Sequence, residues 1–343
     1  MVTASSEMVL SPVNSTSNIT SGTTAQLAAI LTGSREEDMY EARARVSGAR
    51  HIDDWPWIFK QLNNYGYVTL HAEDEPNIGA FQFRLKGWQN QPTDHYIRPF
   101  WIEYEAYMRA LMSSTNQCLG GTAKLYHEAQ LLWAKEYFHK YSGIPKFAFT
   151  YSKEPHEDAN LFKATDDFLV DYFKSLYEEN IMDDTFIIFF GDHGSRFGPL
   201  RQTAQGKLEE RLPLNLLFAP KRFLENHPVI AQNLHTNQQR LSTPFDMHAT
   251  IMHILELPYR NNLDYVSPVS HAPYQVSFFD RIPEERVCSD ASIADHWCIC
   301  QEWTNMDLKD PTVNAGAQKM VDYINGNIKN HIYDKILIFF SIT

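Results

Sequence analysis

The stretch Thr185-Phe-Ile-Ile-Phe-Phe-Gly-Asp-His-Gly194 joins an unbroken apolar run to a short polar turn. A run of this kind is typical of a strand that is buried on both faces, as in a parallel sheet covered by helices. A carboxylate and an imidazole, Asp192 and His193, follow the run at once. Ligands of open α/β sheets bind beyond the carboxyl ends of the strands, so this turn is a candidate site.

Strands, polar turns and helices alternate on both sides of this stretch. The alternation predicts an α/β fold with a mainly parallel sheet sandwiched by helices. We expect a polar segment at residues 1–20 and one domain at residues 21–343, with a loop-rich, cysteine-bearing region at residues 260–305. The predicted strands are Gly66–Leu70, Lys146–Tyr151, Thr185–Phe190 and Pro213–Ala219, and the predicted helices are Thr24–Leu31, Trp55–Asn64, His127–Tyr141, Thr165–Glu178 and Thr243–Leu257.

The composition bounds the class of protein. The 343 residues are 43% hydrophobic, which is enough for a sizeable core. The formal net charge is −12 with both signs interspersed, and this argues against a nucleic-acid-binding surface. No apolar stretch approaches the roughly 20 residues of a transmembrane helix, and Met1–Met8 lack the features of a signal peptide.

Cysteines and glycosylation sequons bear on the compartment. The sequons at Asn14 and Asn18 and an even number of cysteines favour an oxidising compartment. Chance sequons and buried free thiols are the alternative. The cysteines are Cys118, Cys288, Cys298 and Cys300.

Two polar turns carry residues that could hold a divalent metal ion. Asp192 and His193 offer a carboxylate and an imidazole at a strand end, with flanking glycines that allow a close approach. The turn after the strand Lys146–Tyr151 adds His156 and Asp158, which could complete the site. The alternative for the second turn is a solvated loop that starts a helix. Zinc, manganese, magnesium and calcium all remain candidates.

Thr23 is the candidate nucleophile. A hydroxyl at the start of the helix near Thr24 lies beside unpaired backbone N–H groups and the positive end of the helix dipole, which suits phosphate or sulfate. A metal ion on this hydroxyl would make it a nucleophile at neutral pH. The alternative is that Thr23 only caps the helix.

Cationic side chains follow the Asp-His turn. Arg196, Arg201 and Lys207 could neutralise the oxygens of a phosphoryl or sulfuryl group. Each of them alone is more often a surface charge. His248, in the first turn of the helix after Thr243, is a further candidate metal ligand.

Taken in order, several pieces resemble an extracellular domain-of-unknown-function family of invertebrates, notably nematodes and insects, within the alkaline-phosphatase and sulfatase superfamily. The resemblance spans roughly residues 20 to 325, and the series is specific although no single piece is. The pieces are Gly66–Thr69 with Glu73-Asp74, Gln91–Tyr96, Cys118-Leu-Gly-Gly, Asp184–Gly198, Gly206–Pro213, Arg240–Thr250 and Asp295–Cys300.

This resemblance implies an alkaline-phosphatase/sulfatase-like fold and metal-dependent hydrolysis of phosphate or sulfate esters. It makes Asp192 and His193 metal ligands and places Thr23 at the position of the superfamily nucleophile. It also implies a secreted or lumenal glycoprotein with disulfide bonds. We expect the pair Cys288–Cys298, because Cys298 and Cys300 are too close in sequence to bond comfortably.

The chain departs from the family pattern in three places. The first strand of the family ends in a metal-binding Asp, whereas none of the 22 residues before Thr23 is Asp. The first strand is therefore expected to be missing, through truncation or degeneration. Ala25 and Gln26 replace the Pro and Asn of the nucleophile stretch, and Cys118 lacks the motif of a formylglycine sulfatase.

These observations leave two main hypotheses. The chain is a metal-dependent ester hydrolase, or it is a non-catalytic extracellular binding domain that keeps the fold, a pseudoenzyme. A cytosolic nucleotide-binding protein is a weaker third hypothesis, because the sequence has neither a P-loop nor the Gly-rich fingerprint of a dinucleotide site.

Overall fold

The computed structural model describes residues 9–12, 17–19, 22–115, 125–153, 156, 162–196, 198–260, 272–300 and 306–330. Of the residues discussed above, Asn14, Cys118 and Asp158 lie outside these ranges. Contacts along the chain divide it into two units, Met1–Ile299 and Cys300–Thr343.

The first unit is an α/β structure in which helices and strands alternate. Its strands are β1 (Val9–Pro12), β2 (Val68–Glu73), β3 (His95–Tyr96), β4 (Lys146–Tyr151), β5 (Ile187–Phe190) and β6 (Asn215–Ala219). Its helices are α1 (Thr23–Thr32), α2 (Ile58–Asn64), α3 (Arg98–Thr115), α4 (Tyr126–Lys140), α5 (Phe162–Glu178), α6 (Ala204–Arg211), α7 (Lys221–Asn226), α8 (Pro228–Asn237) and α9 (Pro244–Glu256).

Two of the differences between predicted and observed boundaries change the local structure most. The helix predicted from Trp55 begins at Ile58, because the residue before a proline avoids the helical conformation and Trp55 is extended. The strand predicted to end at Leu70 continues to Glu73, so His71 lies inside β2 rather than after it. The aromatic rings around His71 are what hold it in the core.

One sheet is parallel, with the strand order β3-β2-β4. Leu70 lies opposite His95 on one side and opposite Ala148 on the other. The second sheet has the order β1-β6-β5 and pairs its strands antiparallel. The strands β5 and β6 are antiparallel because the chain passes through α6 and then returns beside the end of β5. The N–H of Gly191 there donates to the carbonyl oxygen of Leu214 at 2.9 Å.

Every residue of β5 is only partly buried, although its sequence predicts a strand buried on both faces. The reason is its position. Among the described strands, β5 has a neighbour on one side only, and β4 likewise pairs only with β2. An apolar cavity of about 580 Å³ lies between them.

The main core lies where α1 and α2 pack with α9 against the sheets. All residues of α1 after Thr23 are buried, as expected of a helix enclosed on all sides. It ends at Gly33, whose positive φ of 68° favours glycine. The helix α9 begins with a capping box between Thr243 and Asp246 and with Pro244 at its first position.

A disulfide bond joins Cys288 to Cys298, which confirms the predicted pair. The second unit contains α10 (Pro311–Asn330). None of the described helices combines the length and the hydropathy that a membrane-spanning helix requires.

Candidate active site

The Asp-His turn follows β5 and is anchored against α6. Gly194 N–H donates to Glu210 of this helix at 3.1 Å. A Cβ on Gly194 would lie 2.1 Å from the carbonyl oxygen of Glu209, so no larger residue fits without moving backbone, whereas a Cβ on Gly191 would meet nothing closer than 3.5 Å. The close approach that the flanking glycines predicted is therefore required at the second glycine only.

The imidazole of His193 has a defined orientation. Its Nδ1 lies 2.8 Å from the carbonyl oxygen of Gly194. A carbonyl only accepts, so the hydrogen bond assigns the proton to Nδ1 and leaves a lone pair on Nε2 of the neutral ring. The side chain is 8% exposed. His193 therefore presents one acceptor atom, suited to a proton or a metal ion.

Thr23 faces this acceptor. Its Oγ1 lies 3.4 Å from His193 Nε2. Thr23 is the first residue of α1, and the N-cap is Gly22, so the alternative that Thr23 merely caps the helix is wrong. The first N–H groups of a helix have no partner within it. The hydroxyl thus stands at a helix end that favours anions.

Tyr151 and Asp192 complete the cluster. Tyr151 OH lies 3.3 Å from Asp192 Oδ2 and 3.5 Å from Thr23 Oγ1. Burial first, and then the charge of Asp192, raise the pKa of Tyr151 well above its usual value, so the phenol keeps its proton and donates it to one of these oxygens at a time. Sequence analysis did not single out Tyr151, although its place at the end of β4 was a usable signal.

The donor separations in the cluster fit a divalent metal ion. Asp192 Oδ2 lies 3.4 Å from His193 Nε2, the same distance as Thr23 Oγ1. Two ligands about 2.1 Å from one ion at a tetrahedral angle are about 3.4 Å apart. Within the described ranges, no set of three His, Cys, Asp or Glu ligands includes Asp192 or His193. The ring of His156 is centred 6.3 Å from that of His193.

A cavity of about 870 Å³ opens in front of Thr23 and includes His156 and Arg196 in its lining. Arg196 is half-buried and makes no ion pair with the residues that the structure describes. Three further cations of this cavity were not predicted, and all are paired: Arg43 with Glu41, Arg84 with Glu36, and Lys153 with Glu75 at 3.6 Å. Arg196 is therefore the predicted cation best placed for an anionic ligand.

The other predicted cations lie differently. Arg201 forms an ion pair with Glu210 at 2.6 Å, so its charge is already compensated. Lys207 is exposed on α6, and its side chain makes no hydrogen bond or ion pair within the described part of the chain. His248 lies at the other end of α1, where its Nδ1 is 2.9 Å from the carbonyl oxygen of Ile30 and its ring abuts Gly33. The structure thus brings neither Lys207 nor His248 to Thr23.

The sequon at Asn18 is not accessible in the folded chain. The amide of Asn18 is buried and donates to the carbonyl oxygen of Glu210 at 2.9 Å. A glycan on this nitrogen would have no space to leave the core, because the side chain is enclosed by the folded chain. The sequon at Asn14 lies outside the described residues, and the disulfide Cys288–Cys298 is present.

Comparison with known proteins gives one assignment. No curated protein sequence matches the chain. The model of a family described as "Protein of unknown function (DUF229)" matches residues 13–336, which is nearly the whole sequence. The chain therefore belongs to this family.

Proposed function

We propose that this chain is a metal-dependent hydrolase of phosphate or sulfate esters, a member of the alkaline-phosphatase and sulfatase superfamily with Thr23 as its nucleophile. One observation carries the proposal. The hydroxyl of Thr23 stands at the start of α1, 3.4 Å from the acceptor nitrogen of His193. A nucleophile beside a base, at an anion-binding helix end, is the arrangement that attack on an anionic ester requires.

The residues take distinct parts in the proposed reaction. The first N–H groups of α1 and the guanidinium of Arg196 bind the anionic oxygens of the substrate. Thr23 Oγ1 attacks phosphorus or sulfur while its proton passes to His193 Nε2. The ester bond breaks, and the departing oxygen takes up a proton. Water then hydrolyses the ester on Thr23 and restores its hydroxyl.

A divalent ion held by Asp192 and His193 would lower the pKa of the Thr23 hydroxyl and neutralise charge on the substrate. In that state His193 would be a ligand rather than a base, and water would accept the proton of Thr23. Tyr151 orients the carboxylate of Asp192 by its hydrogen bond.

A second candidate is a binding domain that does not turn over its ligand. It is favoured by the ligand count, since Asp192 and His193 are the two carboxylate or imidazole ligands that the described residues bring together here. We also propose that the protein works outside the cytosol, because a disulfide such as Cys288–Cys298 persists in oxidising compartments.

Purified protein tests the two candidates. It is incubated with zinc, manganese or magnesium and with an aryl phosphate, a bis-aryl phosphate and an aryl sulfate. Turnover that falls about a hundredfold or more in Thr23→Ala, is partly kept in Thr23→Ser and is unchanged in Lys207→Ala supports the hydrolase. Lys207 is a matched control because it is exposed and lies away from the cavity.

Other outcomes separate the candidates. Metal-dependent binding of inorganic phosphate or sulfate without turnover would favour the binding domain. Equal turnover by wild type, Thr23→Ala and Asp192→Ala would reject the proposed mechanism. Metal content after dialysis, measured by atomic emission, gives a readout that is independent of activity.

A further inference from the structure

The carboxyl end of β2 lies beside the candidate active site. Its last residue, Glu73, is paired in register with Tyr151 of β4, whose hydroxyl lies 3.5 Å from Thr23 Oγ1. The side chain of Glu73 is buried, and it is not among the described residues that line the cavity in front of Thr23. Glu73 can therefore act on a substrate there only through the groups that it holds.

The carboxyl group of Glu73 holds the turn at Gly79 and Ala80. Its Oε1 accepts a hydrogen bond from the N–H of Ala80, and a Cβ on Gly79 would lie only 2.9 Å from its Oε2. Burial, which outweighs this hydrogen bond, raises the pKa of Glu73 to about 8. The acceptor is therefore mainly an uncharged carboxyl group near pH 7, and a glutamine side chain offers the same oxygen.

The same turn holds the start of α1. Thr24 Oγ1 donates to the carbonyl oxygen of Ala80 at 2.8 Å, and Arg84 Nε approaches the same hydroxyl at 3.5 Å. The N-cap Gly22 has no side chain that could fix this helix end, so the hydroxyl of Thr24 ties it to a neighbouring segment instead. Two hydrogen bonds through Ala80 thus connect Glu73 to Thr24, the residue after the proposed nucleophile; we call them the Glu73–Thr24 link.

We propose that Glu73 is a positioning residue, which keeps Thr23 aligned with His193 through the Glu73–Thr24 link. The inference rests on the proposed hydrolase mechanism. Thr23 Oγ1 lies 3.4 Å from His193 Nε2, at the long end of the hydrogen-bond range, so a small shift of α1 would separate the two atoms. A displacement of about 1 Å between reacting groups can slow a reaction about a hundredfold. Because Glu73 does not contact the substrate and Arg196 still binds it, the loss should fall on kcat rather than on KM.

Two variants break the Glu73–Thr24 link at different ends. Glu73→Leu removes the acceptor, and Thr24→Val removes the donor, each with little change in side-chain size. With an aryl phosphate and manganese or zinc, we expect each variant to lose kcat at least about tenfold and to change KM by less than about threefold. The double variant should be no more than about threefold slower than the slower single variant, because both changes break the same link. If Glu73→Leu does not fold, Thr24→Val still tests the link.

Two further variants separate positioning from a loss of stability. Glu73→Gln keeps an uncharged acceptor for Ala80 and should keep at least about half of the wild-type kcat. Leu234→Ala removes a buried side chain of α8, so it should lower the unfolding temperature and leave kcat unchanged. Hydrogen exchange gives a readout without substrate. The amides of Ala80 and of the first turn of α1 should exchange faster in Glu73→Leu than in the wild type or Glu73→Gln.

The outcomes for the link and for the hydrolase are distinct. Turnover that depends on Thr23 but is unchanged in Glu73→Leu and Thr24→Val would overturn the inference and leave the proposed function intact. Equal losses of kcat in Glu73→Gln and Glu73→Leu, additive losses in the double variant, or unchanged exchange would overturn it too. Absence of turnover, or equal turnover by the wild type and Thr23→Ala, would reject the proposed function and with it the positioning of a nucleophile.

Discussion

Asp246 and Asp192 are two acidic residues of the same domain with opposite surroundings. Asp246 is fully buried in the first turn of α9, where its carboxylate accepts from the N–H groups of Thr243 and Val276, each at 2.8 Å. Both terminal nitrogens of Arg286 donate to it, at 2.7 and 3.0 Å. Asp192 follows β5, and its Oδ2 lies 3.3 Å from Tyr151 OH and 3.4 Å from His193 Nε2.

The difference separates a structural carboxylate from one that is poised to take a ligand. A buried charge is stable only when hydrogen bonds replace the water that it has lost, and Asp246 has these. Asp192 has long contacts to groups that can themselves donate, accept or bind metal. The comparison predicts that changes around Asp246 cost stability, whereas changes at Asp192 cost function.

The largest effect is expected at the buried ion pair. Arg286→Met should lower the free energy of unfolding by about 3–5 kcal/mol, because it leaves the charge of Asp246 buried without its partner. Urea unfolding followed by circular dichroism measures the loss. The pair of Arg240 with the exposed Glu284 is the control, and Glu284→Gln should change stability by less than about 1 kcal/mol. Similar losses in both variants would contradict the distinction.

The next effect concerns the anchoring of the site. Gly194→Ala should destabilise the domain by about 1–3 kcal/mol, because the added Cβ would collide with the backbone of Glu209. Gly191→Ala, three residues earlier in the same turn, meets only ordinary van der Waals contact and should cost less than about 1 kcal/mol. Equal unfolding midpoints for the two variants would show that the turn is not held as described.

Much of this arrangement follows from the sequence. The apolar run before Gly191 and the strand Lys146–Tyr151 place Asp192 and Tyr151 at one edge, because parallel strands end together. The capping residues of α9 are local in sequence, so the start of this helix could be predicted. The ion-pair partner of Asp246 could not be predicted, because Arg286 is 40 residues away and only the tertiary fold brings the two together.

The solvent exposure of a residue also depends on parts of the chain that are distant in sequence. A continuous apolar run predicts burial on both faces, but β5 is half-buried because burial depends on a neighbouring strand that the run itself does not encode. Lys207 and Arg196 look alike in sequence as cations behind the Asp-His turn. The fold places one on the exposed face of α6 and the other in the cavity.

A third carboxylate, Glu73, extends the comparison to pH. Glu73 is buried like Asp246, but its described hydrogen bond is from the N–H of Ala80, and burial raises its pKa to about 8. His71, two residues earlier in β2, is buried among aromatic rings, and burial lowers its pKa to about 3. Both side chains are therefore neutral in the folded protein near pH 6.

The two groups give stability opposite pH dependences. The folded state holds the proton of Glu73 above the unfolded pKa of 4.5, so this contribution is lost as the pH rises from about 4.5 to 8. The unfolded state protonates His71 below 6.5, so its contribution is lost as the pH falls from about 6.5 to 3. Between pH 6.5 and 8 only Glu73 acts, with a slope of at most about 1.4 kcal/mol per unit.

Glu73→Gln isolates this effect. The variant should lose less stability than the wild type between pH 6.5 and 8, by about 1–2 kcal/mol. Below pH 4.5 the two should respond in parallel, because Glu73 is then protonated in both the folded and the unfolded state. Urea unfolding at several pH values measures both windows. A wild-type stability that rises from pH 6.5 to 8 relative to the variant would mean that Glu73 is charged in the folded state.

The smallest change in stability is expected at Asp192 itself. Asp192→Asn keeps the size of the side chain and an oxygen near Tyr151, so in metal-free buffer it should shift the free energy of unfolding by less than about 0.5 kcal/mol. Added zinc or manganese should separate the two proteins. An ion that binds the folded wild type stabilises it by about 2.7 kcal/mol at one hundred times its Kd, and the variant, which lacks a charged ligand, should gain much less. Lys207→Ala, away from the cluster, should gain as much as the wild type. If all three proteins gained equally, the ion would be binding elsewhere, and the loose contacts of Asp192 would have to be explained without a ligand.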